Sequence, residues 1–302
     1  MRTPRPLFLL LACLVVPAAL SAQESGTPVS ATSGPQTPQA ATMLQQSIAA
    51  MTGGNAVNDV TMTGTVTITT IVNLPSSAPN ASPTTSTDSG TVTFVALASG
   101  RGEATVTTPA GTRTEIRDVS SGTPTLVETG LDGNTYSVTT QSAATPHPAW
   151  FFPAFVMNSG LSSSAYASSY VGQETQNGAS VQHLAIWLLP VGQPASSRFP
   201  QALTQQDIYL NPTSLLPVSM SFTVHPYDPT SPNREYVRYH GSSVDSLQEV
   251  TFSDYQQVEG RQVALHIHTK IQTQFITILS DTQFTSVAFN TGATIAEPAA
   301  AN

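Results

Sequence analysis

Residues 249–290 carry the clearest hydrophobic pattern in the chain. Beyond Glu259-Gly260, Val263, Leu265, Ile267 and Ile271 fall on one face of an extended strand, and His266, His268 and Lys270 fall on the other. Phe252 and Asp254 share a face on the preceding stretch. The pattern predicts a hairpin with one wet side, in which Gly260 supplies the positive φ of a tight turn. Two further extended segments are predicted, over 274–279 and 284–289, so the chain closes as an antiparallel meander.

The same alternation recurs upstream. Residues 59–72 alternate with many β-branched positions and predict a strand, followed by a Pro, Ser, Thr and Asn-rich loop over 73–89. From Gly90 onward, turn signals come about every ten residues, a spacing that favours antiparallel β structure over βαβ units. Ser99-Gly100-Arg101-Gly102, Pro109-Ala110-Gly111, Ser121-Gly122 and Asp132-Gly133-Asn134 separate successive strands. Asn177-Gly178 is the strongest hairpin signal, because both residues tolerate the left-handed conformations of a type I′ turn. These segments predict one continuous, curved sheet.

Two stretches break the period of two. Over 40–51, Leu44, Ile48 and Met51 repeat at helical spacing, with Gln45, Gln46 and Ser47 opposite and Gly53-Gly54 as a stop. Residues 146–161 (PHPAWFFPAFVMNSGL) form the most apolar segment after the N-terminal run. Pro153 inside it predicts two short turns or one kinked helix. Trp150, Phe151, Phe152 and Phe155 must leave water, either as a plug on one face of the sheet or as the wall of a ligand cavity. Farther on, residues 207–224 read as a strand, an Asn211-Pro212 turn and a second strand interrupted by Pro217.

The ends of the chain decide its compartment. Arg2 and Arg5, an apolar run over 7–20 and small residues at Ser21 and Ala22 have the layout of a signal peptide. Leu10-Leu11-Ala12-Cys13 resembles a lipobox, but Leu14-Val15-Val16 follows where a polar start belongs, which favours cleavage near Ala22 over a lipid anchor at Cys13. Such cleavage removes the single cysteine. It also leaves 8 of the 10 basic residues against 18 acidic ones, a balance of −10. An acidic chain with no basic stripe argues against nucleic acid as a partner, and the absence of a later long apolar run argues against an integral membrane protein. Residues 23–39 hold too few large apolar side chains to offset their ordering entropy and are expected to be a disordered leader. The predicted order is a signal peptide over 1–22, that leader, one β domain over 40–291 and a disordered tail over 292–302.

Ala40, Thr42-Met43-Leu44 and Gly53-Gly54, then Val60 with Thr63-Gly64-Thr65, form the first part of a series. It continues with 207–211 (DIYLN), Leu216-Pro217, 252–255 (FSDY) and Val258-Glu259-Gly260. It resembles bacterial secreted proteins with a lipoprotein-carrier-like fold, the group of the periplasmic lipoprotein carrier and the sigma-factor regulator domain. The resemblance implies a mainly β (α+β) protein, in which a curved antiparallel half-barrel holds a few short helices on its concave face around an apolar cavity for lipid acyl chains. Val263-Ala264 departs from the Leu-Pro that many relatives carry after the turn glycine. A fold and a ligand class come with the resemblance, and no site residue does.

Catalytic motifs are missing. The chain has no G-x-S-x-G, H-E-x-x-H or G-x-x-x-x-G-K-[ST]. Of its six histidines only His266-x-His268 has ligand spacing, and without a third ligand the pair reads as two solvated side chains rather than a metal site. Asp207, Asp254 and Glu259 read as strand-end and turn carboxylates rather than a general acid and base. No catalytic residue, metal or cofactor is expected. Two function classes stay open: a non-enzymatic envelope carrier or binding protein for a lipid or lipoprotein acyl chain, with Trp150, Phe151 and Phe155 as ligand contacts, and an interaction or sensor domain that contacts an envelope protein with no small ligand. A secreted hydrolase stands behind both.

Overall fold

The computed structural model describes residues 36–72, 83–118, 125–131, 133–139, 151–162, 166–189, 205–223, 247–272 and 276–296.

Thirteen described strands form one antiparallel sheet. In chain order they are β1 (Asp59–Val72), β2 (Thr84–Leu97), β3 (Arg101–Thr108), β4 (Gly111–Asp118), β5 (Thr125–Thr129), β6 (Thr135–Thr139), β7 (Tyr166–Gln176), β8 (Ala179–Leu188), β9 (Gln206–Leu210), β10 (Pro217–Thr223), β11 (Leu247–Val258), β12 (Arg261–Gln272) and β13 (Ile276–Phe289). Helix α1 is Pro38–Thr52 and α2 is Pro153–Ser162. In the spatial order β6-β5-β4-β3-β2-β1-β13-β12-β11-β10-β9-β8-β7 every sheet neighbour is a sequence neighbour except where β1 pairs with the last strand, and the consecutive strands β6 and β7 do not pair. The sheet is open, with β6 and β7 at its edges.

Its curvature follows from two contacts. On a flat sheet β2 and β8 would stand about 34 Å apart, at about 4.8 Å per strand. Yet α2 and the residues just before it reach both: Phe151 meets Phe94 of β2 at 5.1 Å between ring centroids, and a Cβ on Gly160 would lie 2.7 Å from Ile186 of β8. A ten-residue helix is only about 15 Å long. The Arg117 guanidinium of β4 also acts on the Tyr166 phenol of β7, although those strands would lie about 48 Å apart on a flat sheet. The sheet therefore curls around the helices as a half-barrel, and its inner residues form one core: Val60, Met62, Phe94, Leu184, Ile186, Ile208, Phe252, Ile267 and Phe284, closed by Leu44, Met51, Phe152 and Met157 of the helical segments.

Local chemistry accounts for most element boundaries. Thr37 caps α1, its hydroxyl accepting from the Ala40 amide at 3.3 Å, and Pro38 starts the helix with a fixed φ. Asn177 and Gly178 turn β7 into β8 with φ of 51° and 81°, and Glu259 and Gly260 turn β11 into β12 with 50° and 78°. Pro153 opens α2 rather than kinking it, because the first turn needs no amide from that residue. Pro217 likewise begins β10 instead of interrupting it. The loop expected over 73–89 is shorter, since its threonine-rich second half pairs with β1 from Thr84 onward. The two segments expected at the C-terminus are one 14-residue strand, β13, which pairs with β1 through a register shift at Thr63/Gly64. Ser121-Gly122 and Asp132, named as turn residues from the sequence, lie outside the described residues.

Ser47 departs from the polar side of α1 on which the sequence places it. It is fully buried, because its hydroxyl donates to the Leu215 carbonyl at 2.7 Å, while Ile48 stays partly open. Both ends of the described region are also fastened. Gln36 donates to the carbonyls of Gly160 and Leu161, and the Thr37 amide donates to Ser168 on the β7 edge. After β13, the carboxylate of buried Asp59 accepts from the amides of Thr291 and Gly292 and from the Thr291 hydroxyl. Asp59→Ala leaves these donors to water and is expected to lower stability by about 1–3 kcal/mol in a denaturant titration. A loss within a few tenths of a kcal/mol would show that the C-terminal strap contributes nothing.

Candidate functional site

The concave face beside the helices is the candidate site. Phe151, Phe152 and Phe155 come to it from the start of α2, where Pro153 sets the helix and the preceding rings pack inward. Phe151 lies edge-on to Phe94 and to Phe284, at 5.1 and 5.9 Å between centroids, and Phe152 lies edge-on to Phe155 and Phe289 at 5.2 and 5.6 Å. These are favourable aromatic geometries. The rings differ in exposure: Phe152 and Phe155 are 1% and 7% exposed, whereas Phe151 is half-buried. Trp150 lies outside the described residues. Ile68 of β1 and Val106 of β3 also pack on the core while staying partly open, so the apolar lining continues past the cover the helices provide.

Toward β4 and β5 the same face turns polar. Register carries the inward parity of Phe94 through Ala104 to Glu115 and Glu128, and that of Ala96 through Gly102 to Arg117 and Leu126. Arg113 bridges Glu128 at 3.1 Å and approaches Glu115 at 3.9 Å. Arg117 is 2% exposed, and burial brings its guanidinium down to about 10 against the opposing influence of Glu115 and Tyr166. Burial pushes the Tyr166 phenol up, and Arg117 holds part of that rise back. Sequence reasoning missed this group. The alternation of β4 offers Ile116 as the core residue, and only the strand register puts its charged neighbours Glu115 and Arg117 on the inward parity.

Among the described residues, the outer face carries two histidine groups. His183 is held at Nδ1 by Glu174 at 2.7 Å and at Nε2 by Asp207 at 2.9 Å, with Tyr209 packed at 4.5 Å. Burial opposes its protonation, but the two carboxylates outweigh this and raise its pKa above 6.5. Asp207, the second residue of β9, is thus a strand-end carboxylate that also partners the imidazole. A raised folded-state pKa gives stability that is complete below pH 6.5 and lost as pH rises through the raised value. The wild type is expected to weaken across that window in urea titrations, and His183→Gln to remove the dependence. A pH slope unchanged in the variant would sink this assignment.

His266 is not a freely solvated side chain. It is half-exposed, with Ser253 Oγ at 3.0 Å from Nδ1 and Asp281 Oδ1 at 2.6 Å from Nε2. His268 is exposed and lines an open groove of about 490 Å³ with Thr65, Thr67, Thr69, Leu279, Asp281 and Gln283. Among the described residues, no group of three or more His, Cys, Asp or Glu is arranged to hold a metal ion, and no helix is long and apolar enough to cross a membrane.

No family model matches the chain, and no curated protein does. Solved structures do. A domain named for outer membrane lipoprotein sorting, from Vibrio parahaemolyticus, is 14% identical with a TM-score of 0.46, and the match covers 84% of this chain and 93% of that one. A DUF1329 family protein from Desulfovibrio piger is 9% identical with a TM-score of 0.48, over 85% and 94% of the two chains. A LolA superfamily protein from Nitrosomonas europaea is 8% identical with a TM-score of 0.43, over 82% and 92%. The group named from the sequence is represented among these structures. The likeness is one of overall course.

Proposed function

We propose that this chain is a carrier or binding protein of the bacterial cell envelope that takes up an apolar ligand of acyl-chain type against the concave face. Export through the signal peptide over 1–22, with cleavage near Ala22, accompanies this reading. The observation that carries it is the apolar lining that continues beyond the helices, with Phe151, Ile68 and Val106 packed on the core yet partly open. A ligand seated there gains from leaving water, and uptake needs no covalent chemistry.

Titration with fatty acids of increasing chain length tests the proposal. Each methylene that becomes buried adds about 0.8 kcal/mol, roughly fourfold in Kd. Saturable binding that tightens with length is the expected result. Absence of saturable binding across the series, or an affinity independent of length, would overturn it.

A further inference from the structure

Ser253, His266 and Asp281 stand on three adjacent strands, β11, β12 and β13, and form one hydrogen-bonded line on the outer face. Ser253 is directly across from His266 in the register. Its Oγ lies 3.0 Å from Nδ1, and also 3.4 Å from the His266 carbonyl oxygen, while Nε2 lies 2.6 Å from Asp281 Oδ1. With the ring proton on Nε2 donated to Asp281, the Nδ1 lone pair faces the serine hydroxyl. This is the connectivity of a nucleophile, a general base and an orienting carboxylate, with the two ring nitrogens exchanged relative to the familiar serine hydrolase arrangement.

Two further observations fall at the same place. Asp254, the residue after Ser253, has a φ of 51° inside a strand, and it is the one residue of β11 that the register with β12 passes over. Among the described residues, the other non-glycine residues with positive φ, Asn177, Leu215, Glu259 and Asn290, lie between or just beyond strands. Strained backbone held within regular structure gathers at functional sites. Asp281 also lines the open groove, whose other walls are threonine hydroxyls, the Gln283 amide, His268 and Leu279. Hydroxyls and an amide can donate and accept at once, which suits a neutral, hydroxyl-bearing group.

We propose that Ser253, His266 and Asp281 are an acyl-transfer site for a small carboxylic ester of a neutral polyol, separate from the concave face. Ser253 Oγ attacks the ester carbonyl carbon as its proton passes to His266 Nδ1, and Asp281 stabilises the imidazolium through Nε2. The peptide N–H of Asp254 serves the oxyanion. The ester C–O bond then breaks, and the alcohol leaves with the proton from Nδ1. Water attacks the acyl-serine, gives its proton to Nδ1, and releases the acid as Ser253 regains its proton. Water is the only co-reactant.

The full chain is treated with a fluorophosphonate probe, the adduct is located by peptide mass mapping, and p-nitrophenyl acetate hydrolysis is followed in wild type, Ser253→Ala, His266→Gln and Asp281→Asn alongside thermal melts. A single adduct on Ser253 is expected. Turnover should fall about 100-fold or more in the serine and histidine variants and less in the aspartate variant, with fatty-acid binding unchanged. An adduct absent from Ser253 in the wild type overturns the proposal even where a variant fails to fold. So does hydrolysis that persists in Ser253→Ala. Loss of fatty-acid binding by the wild type bears on the carrier reading alone.

Discussion

Gly53→Val is expected to remove roughly 3 kcal/mol of stability, from left-handed backbone strain together with overpacking. Gly53 ends α1 with a φ of 61°, and a Cβ there would collide with the carbonyl oxygen of Gly260 in the β11–β12 turn. The glycine thus lets the helix end touch the hairpin. Gly260 itself has a φ of 78°, but a Cβ on it would find only Asn55 Nδ2, at 3.8 Å. Gly260→Val should therefore incur the backbone strain alone, about 1 kcal/mol. Denaturant titrations of both variants test this ordering. Equal losses, or a larger one at Gly260, would mean that the contact between helix end and hairpin is not what fixes α1.

That contact belongs to a larger knot. Buried Arg261 donates to the carbonyls of Glu259 and Ala56 and lies 4.7 Å above the centre of the Phe289 ring. Asn290 donates to Ala56 and accepts from the Asn58 amide. The end of α1, the entry to β1, the β11–β12 turn and the exit of β13 are so joined at one end of the sheet. Gly53-Gly54 and Val258-Glu259-Gly260, which carry the family resemblance, fall in this knot. Leu216-Pro217 lies beside another frame contact, since the Tyr255 hydroxyl donates to the Pro217 carbonyl at 2.8 Å. The residues most legible as a pattern are therefore those that hold the frame. They say little about function.

Elements were legible wherever the local signal and the tertiary demand agree. Asn177-Gly178 and Glu259-Gly260 need positive φ in any context, so their hairpins can be read without the fold. The first half of β2 could not be read that way. Residues 84–90 are rich in Thr and Ser with no apolar alternation, and they become a strand only because β1 extends to Val72 and offers a partner. The outer-face histidines failed for a related reason. His183 and Asp207 are 24 positions apart, and His266 meets Asp281 diagonally, so both groupings depend on the register of strands that a sequence does not align. Arg117 is the sharpest case: alternation places it opposite Ile116 and so outward, whereas curvature brings its face against the rest of the barrel.

The rings of the aromatic cluster differ in burial, and two substitutions separate the roles proposed for them. Phe155 is 7% exposed and packs on Phe152, which is itself 1% exposed and meets Phe289. Phe155→Ala should therefore act on folding, removing about 3–5 kcal/mol through lost burial and an unfilled cavity. Phe151 is half-buried and rests against Phe94 and Phe284 at the margin of the helix cover, where the apolar lining opens. Phe151→Ala should remove less stability, about 1–2 kcal/mol, and should weaken binding of a long fatty acid by about tenfold, because the lost ring edge is surface the ligand would cover. Melts and titrations on the two variants decide between them. If Phe151→Ala destabilises as much as Phe155→Ala and leaves fatty-acid affinity unchanged, both rings are core, and the ligand site proposed at Phe151 is lost.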